Sequence, residues 1–123
     1  MSTQLLYGDV TEKIIEGYFQ VDNTLGYGFL EKVYENSLVI ALRTRGLIVQ
    51  QQWAISVAFE GELVGDYFAD LLVNDRVIVE IKSAEAIIPR HEAQLLNYLR
   101  ATNIRVGLLV NFGPEPRFIR KVV

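Results

Sequence analysis

The sequence contains no cysteine and a single histidine, His91. Without cysteine, the chain can form neither a disulfide framework nor a catalytic thiolate, and one histidine cannot complete a zinc site of the Cys/His type. The chain also has no Gly-x-Ser-x-Gly motif, so a serine nucleophile is not marked, and any Ser/His triad would have to use His91. We therefore expect chemistry that depends on neither sulfur nor an acyl-enzyme intermediate.

Long apolar runs and a basic-then-apolar leader pattern are also missing. The longest apolar stretches, such as residues 107–110, are far too short to span a bilayer, so we expect a cytoplasmic protein with no membrane partner. There is no internal repeat, low-complexity segment or proline-rich linker, and we predict one domain over residues 1–123. A chain of 123 residues that is 50% hydrophobic is long enough to bury a core.

The sequence also lacks an excess of positive charge. The chain has 12 basic and 15 acidic residues, which gives a net charge of −3. Proteins that coat nucleic acid gain affinity by neutralising phosphates with Lys and Arg, so this balance argues against that class. Two bound divalent cations would reverse the sign of the net charge, so a metal-dependent enzyme acting on nucleic acid is still compatible with the composition.

Two short apolar segments dominate what the sequence does contain. Residues 67–73 and 77–82 are joined by the turn-prone residues 74–76, a pattern typical of a β-hairpin. Because successive side chains in a strand point to opposite faces, Glu80 and Lys82 share one face of the second segment. The other face of that segment is wholly apolar.

The length of the hairpin loop decides where the acidic residues lie. A three-residue loop pairs Val73 with Val77 and places Asp70 directly opposite Glu80, whereas a two-residue loop puts the two carboxylates on opposite faces. The three-residue loop also gathers three apolar side chains on the buried face: Ala69, Leu71 and Val73. Since core burial and clustering of the charges favour the same pairing, we predict the three-residue loop.

Opposed carboxylates of this kind can hold a metal ion. Their Cβ atoms would be about 4.5–5.5 Å apart, and two bare carboxylates at that distance repel unless a cation neutralises them. Mg²⁺ takes oxygen ligands, usually one or two carboxylates together with water and substrate phosphate. Lys82 would add an ammonium group that orients a water or stabilises charge on a phosphate. The alternative is an amphipathic strand whose Glu and Lys are merely solvated.

The remaining periodicity predicts a mixed α/β domain of order α-α-β-β-β-α-β-β. Gly46 is expected to cap the second helix, Asp22-Asn23 to break the first, and the last strand to lie at an edge of the sheet. The predicted helices are residues 3–20, 29–45 and 89–101, and the predicted strands are residues 49–59, 67–73, 77–82, 105–112 and 117–123.

The start of the second helix carries the pattern Gly28-x-x-Glu31-x-x-Tyr34. Positions three apart share a helix face, so Glu31 and Tyr34 project together. Glu31 is either a third carboxylate of the site or an acidic residue that simply favours the positive end of a helix, and Tyr34 is either functional or part of the core. Gly26 and Gly28 do not make a dinucleotide-binding loop, because the third glycine and the preceding strand are missing.

Three polar side chains form a stripe on the predicted third helix. His91, Gln94 and Tyr98 stand at i, i+3 and i+7 of an otherwise apolar element. Gln94 could bond a phosphate or a carboxylate, and Tyr98 could stack on a base or bond a water. His91, near a helix start, is better interpreted as a surface residue.

In these motifs the chain resembles the PD-(D/E)XK nuclease superfamily, and more narrowly the group named for its Gly-x-x-Glu-x-x-Tyr motif. The similarity covers nearly the whole chain, and five motifs occur in the right order. They are Gly28-x-x-Glu31-x-x-Tyr34, Asp70, Glu80-Ile81-Lys82, Gln94-x-x-x-Tyr98 as in the lambda-exonuclease-like branch, and Gly107 to Gly113.

The resemblance implies a fold, a cofactor and a site. The fold would be a restriction-endonuclease-like αβββαβ core with a mixed central sheet flanked by helices. Glu31, Asp70 and Glu80 would hold Mg²⁺ or Mn²⁺ for phosphodiester hydrolysis, and Lys82 would position the attacking water. The motif of the lambda-exonuclease-like branch adds Gln94 and Tyr98 to the candidate catalytic residues.

The leading hypothesis is therefore a divalent-metal-dependent nuclease domain acting on nucleic acid, with DNA favoured over RNA. The alternative is a non-catalytic binding or regulatory domain that retains the nuclease fold. No separate DNA-binding module is visible, so grip on the substrate would come from the active-site groove, a second copy in a homodimer, or a protein partner. The candidate phosphate contacts are Arg43, Arg45, Arg90, Arg117, Arg120 and Lys121.

Overall fold

The computed structural model describes residues 5–123. Within that range the helices are α1 (Gly8–Leu25), α2 (Glu31–Thr44) and α3 (Pro89–Thr102), and the strands are β1 (Val49–Phe59), β2 (Glu62–Val73), β3 (Val77–Lys82), β4 (Val106–Asn111) and β5 (Arg117–Val122). The predicted order α-α-β-β-β-α-β-β is confirmed. None of the helices in this part of the chain is long and apolar enough to cross a membrane.

The strands form one mixed sheet in the order β1-β2-β3-β4-β5. β3 and β4 are parallel, and every other neighbouring pair is antiparallel. A parallel pair requires a long crossover connection, which α3 provides. The order leaves β5 at one edge, as predicted, and β1 at the other.

Apolar side chains pack on both faces of this sheet. On one face, α1 and α2 cover Leu71, Val79 and Leu108 of the central strands. On the other face, α3 packs against Ile78 and Leu109. Helices on both sides of a mixed sheet confirm the predicted α/β class.

Helix α1 continues beyond its predicted end. We expected a break near Asp22-Asn23, which is wrong: the helix runs to Leu25 because Val21 and Leu25 still pack against the core. It ends at Gly26, whose φ of 70° is left-handed and whose N–H donates to the carbonyl of Asp22 at 2.9 Å. The helix begins at Gly8, and the predicted start at residue 3 lies outside the described residues.

Helix α2 ends at Thr44, and Gly46 caps it as predicted. This glycine has a φ of 81°, and its N–H donates to the carbonyl of Arg43 at 3.0 Å. The N–H of Leu47 donates to the carbonyl of Leu42 at 3.2 Å, which completes a Schellman cap. The cap turns the chain into β1.

The first hairpin is longer than the sequence indicated. Glu60 and Gly61, with φ values of 49° and 81°, form its two-residue turn, and β2 begins at Glu62, five residues before its predicted start at residue 67. From Glu62 to Ala69, β2 pairs only with β1, because its ladder to β3 begins at Leu71. We call residues 53–69 the outer arm; they comprise this part of β2, the part of β1 that pairs with it, and the turn between them.

The second hairpin has the predicted three-residue loop. Val73 pairs with Val77, and the regular ladder ends at the pair Leu71–Val79. The expectation that Ala69 shares a face with Leu71 is wrong, because Ala69 packs in the core under α3 whereas Leu71 packs under α1 and α2. The regular alternation of β2 therefore breaks at Asp70, where the strand parts from β3.

Candidate active site

The place where β2 parts from β3 is bridged by side chains instead of a backbone ladder. Glu80 Oε2 accepts a hydrogen bond from the backbone N–H of Asp70 at 2.8 Å, and Asp70 Oδ2 accepts one from the backbone N–H of Ile81 at 2.7 Å. Each carboxylate thus satisfies a donor that the diverging strands leave without a carbonyl partner. This reciprocal bonding holds the two acidic side chains next to each other.

The bridge places two like charges where water has little access. Glu80 is only 4% exposed, and its burial, followed by the charge of Asp70, raises the pKa of Glu80 to about 8. Burial, followed by the charges of Glu35 and Glu31, also raises the pKa of Asp70. The ammonium of Lys82 lies close enough to lower both pKa values, but it does not cancel the increase. The pair is thus a place where a positive charge is favoured.

The donor set fits a divalent cation. Each carboxylate spends one oxygen on a backbone N–H; Asp70 Oδ1 has only a long contact of 3.5 Å from Gln52 Nε2, and Glu80 Oε1 accepts no hydrogen bond from residues 5–123. Free carboxylate oxygens are the ligands that Mg²⁺ and Mn²⁺ prefer. No group of three or more acidic or histidine side chains in the described chain is arranged as a metal cluster. Water and substrate phosphate would therefore supply the remaining ligands.

Glu31 lies at the edge of this pair. It is the first residue of α2 and is exposed, and its charge is one of the causes that raise the pKa values of Asp70 and Glu80. The structure therefore places Glu31 in the electrostatic neighbourhood of the two carboxylates without bonding it to either.

Tyr34 organises the turn that precedes Glu31. Its hydroxyl donates to the carbonyl of Gly26 at 2.6 Å and accepts from the N–H of Phe29 at 3.2 Å, and its ring is fully buried. Between those two anchors Gly28 has a φ of 116°, which a residue with a Cβ rarely adopts. Tyr34 and Gly28 thus set where α2, and with it Glu31, begins.

A second buried carboxylate, Glu35, was missed by the sequence analysis. It is 4% exposed and is surrounded by donors: Lys32 Nζ at 2.9 Å, Gln51 Nε2 at 2.7 Å and Gln52 Nε2 at 2.9 Å. The available signal was an acidic residue within the apolar stripe of α2, combined with consecutive glutamines at residues 50–52 of the following strand.

Gln52 links this cluster to the carboxylate pair. Its amide donates to Glu35 Oε1 and also approaches Asp70 Oδ1. Its backbone has a φ of 52°, a left-handed conformation inside strand β1, at the level where Asp70 interrupts β2. This local distortion aims the amide at the site and not along the sheet face.

The polar stripe on α3 divides into two roles. Gln94 Nε2 donates to the hydroxyl of Tyr98 at 3.0 Å, and Tyr98 is 7% exposed. Burial, followed by the charge of Glu80, raises the pKa of Tyr98, so its hydroxyl stays protonated beside the carboxylates. His91 instead accepts a hydrogen bond from the backbone N–H of Ile88 on Nδ1 at 3.2 Å, which caps the start of α3.

Asn111 fixes the segment that follows Lys82. It pairs with Lys82 across β3 and β4, and its side chain both accepts from the N–H of Ala84 at 2.9 Å and donates to the carbonyl of Ala84 at 3.0 Å. A Cβ at Gly113 would lie 2.1 Å from that carbonyl, so glycine is required there. The sequence placed residues 107–113 among the motifs of the superfamily but did not predict this clamp.

Most of the candidate phosphate contacts are engaged within the protein. Arg90 and Arg117 make no side-chain hydrogen bond or ion pair to residues 5–123. The other four do: Arg43 to the carbonyl of Val49, Arg45 to Gln20 and the carbonyl of Ala41, Arg120 to the carbonyl of Leu6, and Lys121 to Glu92. Arg90 and Arg117 are therefore the members of this set whose side chains could contact a phosphate without breaking a bond to the described residues.

One known protein family matches almost the whole chain. A family model described as the PD-(D/E)XK nuclease superfamily matches residues 8–122. The chain belongs to this superfamily. The sheet and its flanking helices are those of a restriction-endonuclease-like PD-(D/E)XK fold, which confirms the fold predicted from the sequence. No curated protein has a matching sequence.

Two solved structures have a fold similar to that of this chain. The crystal structure of SSO0001 superimposes with a TM-score of 0.61 at 17% identity, over 92% of this chain and 66% of that one, so this chain spans slightly less than two thirds of that protein. The alkaline exonuclease LHK-Exo from Laribacter hongkongensis gives a TM-score of 0.51 at 16% identity, over 98% of this chain and 72% of that one. At these identities the likeness shows the fold alone.

The superfamily to which this chain belongs is one of nucleases. Nucleases of this superfamily generally use divalent metal ions. The carboxylate pair of Asp70 and Glu80, with Lys82 beside it, is the part of this chain whose chemistry suits that use.

Proposed function

We propose that this chain is a nuclease domain that hydrolyses phosphodiester bonds with Mg²⁺ or Mn²⁺, and that DNA is its principal substrate. The observation that carries the proposal is the reciprocal bonding of Asp70 and Glu80, which keeps two carboxylates adjacent and leaves one oxygen of each without a backbone partner. The family match over residues 8–122 supports the same reaction class.

In this proposal Asp70 and Glu80 would hold the metal ion, and Glu31, which is not grouped with them as a third ligand in the described chain, would contribute its nearby negative charge. A bound ion would supply a Lewis acid and would lower the pKa of a coordinated water. The chain contributes rigidity. Each carboxylate accepts a hydrogen bond of 2.7–2.8 Å from the backbone of the opposite strand, so binding the ion would not require either side chain to lose further conformational freedom.

Lys82 and the Gln94–Tyr98 pair supply the remaining polar groups. The Lys82 ammonium forms no ion pair within 4 Å among residues 5–123, so it is available to orient the attacking water and to stabilise charge on the phosphate. The Tyr98 hydroxyl remains a protonated donor that Gln94 orients, and it is placed to hydrogen-bond a substrate oxygen.

We also assign the chain to the group named for Gly-x-x-Glu-x-x-Tyr. Gly28 and Tyr34 shape the turn that starts α2, and Glu31 follows that turn directly. In this assignment glycine and tyrosine of the motif have a structural role, whereas the glutamate faces the chemistry.

The proposal is tested by incubating the purified protein with single- and double-stranded DNA and with RNA, in Mg²⁺ or Mn²⁺. We expect cleavage by the wild type and a loss of about 100-fold or more in each site variant: Asp70→Asn weakens the metal site, and Lys82→Ala removes a positive charge from the phosphate. Asp66→Asn and Lys13→Ala remove exposed charges away from the pair and should retain full activity. Cleavage that survives in both site variants would refute the assignment of the site.

The non-catalytic alternative rests on two observations. The described chain contains no cluster of three metal ligands, and four of six candidate phosphate contacts are occupied inside the protein. A binding or regulatory domain would show neither cleavage of any substrate nor uptake of Mg²⁺ or Mn²⁺ by isothermal titration calorimetry. Co-purification with a larger nuclease or with a second copy of the chain would then identify its partner.

A further inference from the structure

A groove of about 610 Å³ runs between helix α3 and the outer arm of the β1–β2 hairpin. Its volume falls within the range of about 300–1,000 Å³ that small-ligand sites occupy. One wall comes from the outer arm and includes Gly65 and Tyr67, and the other comes from α3 and includes Gln94 and Tyr98. Nothing in the sequence analysis singled out the arm or its groove.

The groove lies beside the carboxylate pair, which does not itself line it. Tyr67 lies three residues before Asp70 on strand β2, which is about 10 Å at 3.3 Å per residue. Gln94 and Tyr98 line the groove and belong to the same hydrogen-bonded pair that borders Glu80. A chain lying in the groove would therefore continue into the active site.

Two aromatic rings shape the interior of the groove. The rings of Tyr67 and Tyr98 lie with centroids 5.9 Å apart at 45°, and Tyr67 remains 48% exposed. A Cβ at Gly65 would lie 2.9 Å from the Tyr67 ring, so the absence of a side chain there gives this ring its room. A half-exposed ring in a concave surface is a platform on which a planar group can stack.

The rim of the groove carries positive charge. Arg90 and Arg100 both line it, ten residues and so about 15 Å apart along α3. Neither is in the ion pairs that the described residues form, which are Lys32–Glu35, Arg45–Glu16 and Lys121–Glu92. On a chain with a net charge of −3, these two cations mark a local site for an anionic ligand.

We propose that this groove binds an unpaired stretch of the substrate strand, with a base stacked on Tyr67 and with phosphates held by Arg90 and Arg100. In a duplex, bases are stacked on one another and present only their edges, so an aromatic platform in a groove has nothing to receive. The substrate class is accordingly single-stranded nucleic acid, or a strand unpaired at an end. This inference rests on the proposed nuclease function and specifies its substrate.

The test uses the full chain and labelled oligonucleotides in a fluorescence anisotropy assay. Single-stranded DNA, single-stranded RNA and a blunt DNA duplex are compared without metal, so that binding is measured in the absence of cleavage. We expect single strands to bind at least about tenfold tighter than the duplex. Tyr67→Ala should weaken single-strand binding about 5- to 150-fold, the range for loss of one stacked base, and Tyr67→Phe should restore it.

The charge contacts have a separate signature. Arg90→Gln and Arg100→Gln should each lower the slope of log affinity against log salt by about 0.7 for a single strand. Phe59→Ala removes an exposed ring from the same hairpin outside the groove, and Arg76→Gln removes an exposed charge at the opposite end of β2. Both controls should leave affinity and salt slope unchanged.

The outcomes separate this inference from the proposed function. Equal cleavage of duplex and single strand, with Tyr67→Ala unchanged on both, would overturn the groove assignment while the nuclease stands. Single-strand binding that depends on Tyr67 without cleavage in Mg²⁺ or Mn²⁺ would support the groove and overturn catalysis. No binding and no cleavage of any nucleic acid would overturn both.

Discussion

The two halves of the β2–β3 hairpin differ in what holds them together. Near the turn, from Leu71 to Val73 and from Val77 to Val79, backbone bonds and apolar side chains of at most 3% exposure make a regular ladder. One step further, at Asp70 and Glu80, carboxylates replace the backbone acceptors. We call the regular ladder near the turn the closed half of the hairpin, and the part at Asp70 and Glu80 the open half. The closed half contributes stability, whereas the open half lacks ladder bonds and presents charged groups.

The comparison shows how the backbone can order a buried acidic pair. A carboxylate that accepts a backbone N–H is fixed in position by that bond, although burial and the neighbouring charge oppose its ionisation. The hydrogen bonds thus hold both carboxylates in fixed positions, although ionising them there is unfavourable. A cation could lower the energy of the ionised pair without moving either side chain.

The largest expected effect comes from breaking the closed half. Leu71→Ala removes a fully buried side chain and should lower the free energy of unfolding by about 2–5 kcal/mol, measured by urea denaturation. Leu63→Ala is the matched control, because Leu63 lies on the same strand in the outer arm and is 61% exposed. Its cost should stay within about 0.5 kcal/mol. Equal costs for the two variants would show that the two parts of β2 contribute equally to stability.

An intermediate effect is expected from neutralising the open half. Because the pKa of Glu80 is raised from 4.5 to about 8, the folded protein binds more protons than the unfolded chain between those values. The free energy of unfolding should therefore fall as pH rises through this window in the presence of a chelator. Glu80→Gln keeps an acceptor for the Asp70 N–H and should be more stable than wild type at pH 8, by about 1–3 kcal/mol.

Urea denaturation at several pH values measures this difference. At pH 4 the protonated Glu80 resembles glutamine, so the two proteins should be equally stable there. Glu62→Gln, at the exposed start of β2, should follow the wild type at every pH. A Glu80→Gln difference that is independent of pH would show that the electrostatic cost is not at this carboxylate.

The smallest effect tests the junction between the halves. Gln52 has a left-handed φ of 52° and donates to Glu35 Oε1 at 2.9 Å. Gln52→Ala loses that bond and keeps the unfavourable backbone conformation, whereas Gln52→Gly loses only the bond. We expect the glycine variant to be about 1 kcal/mol more stable than the alanine variant by urea denaturation. At Gln50, where φ is ordinary, alanine should be the more stable of the two.

Several features of the fold follow from the sequence with little ambiguity. The three-residue loop was predictable because a one-residue slip would have moved an entire apolar face into solvent. The glycine cap of α2 was predictable because it depends on a few neighbouring residues. The edge position of β5 was predictable because its sequence alternates more loosely than the buried run of β4. These features were predictable from the spacing of apolar residues and from the residue types in turns and caps.

The site could be predicted only in part from the sequence, for a physical reason. Alternation assumes a continuous strand, so it could not anticipate that β2 leaves β3 at Asp70 and carries Ala69 into the other core. Glu35 and Asn111 gain their roles from partners 16 and 27 residues away in the chain, and spacing alone does not reveal such contacts.

The sequence by itself determined the α/β order, the register near the β2–β3 turn, and the presence of acidic and basic groups on one strand pair, because these depend on patterns a few residues long. Only the tertiary structure decided that the two carboxylates exchange bonds with the opposite backbone, and that the outer arm and α3 enclose a groove beside them. Those features arise where strands diverge and distant elements pack, and their free energy comes from contacts between residues far apart in the chain.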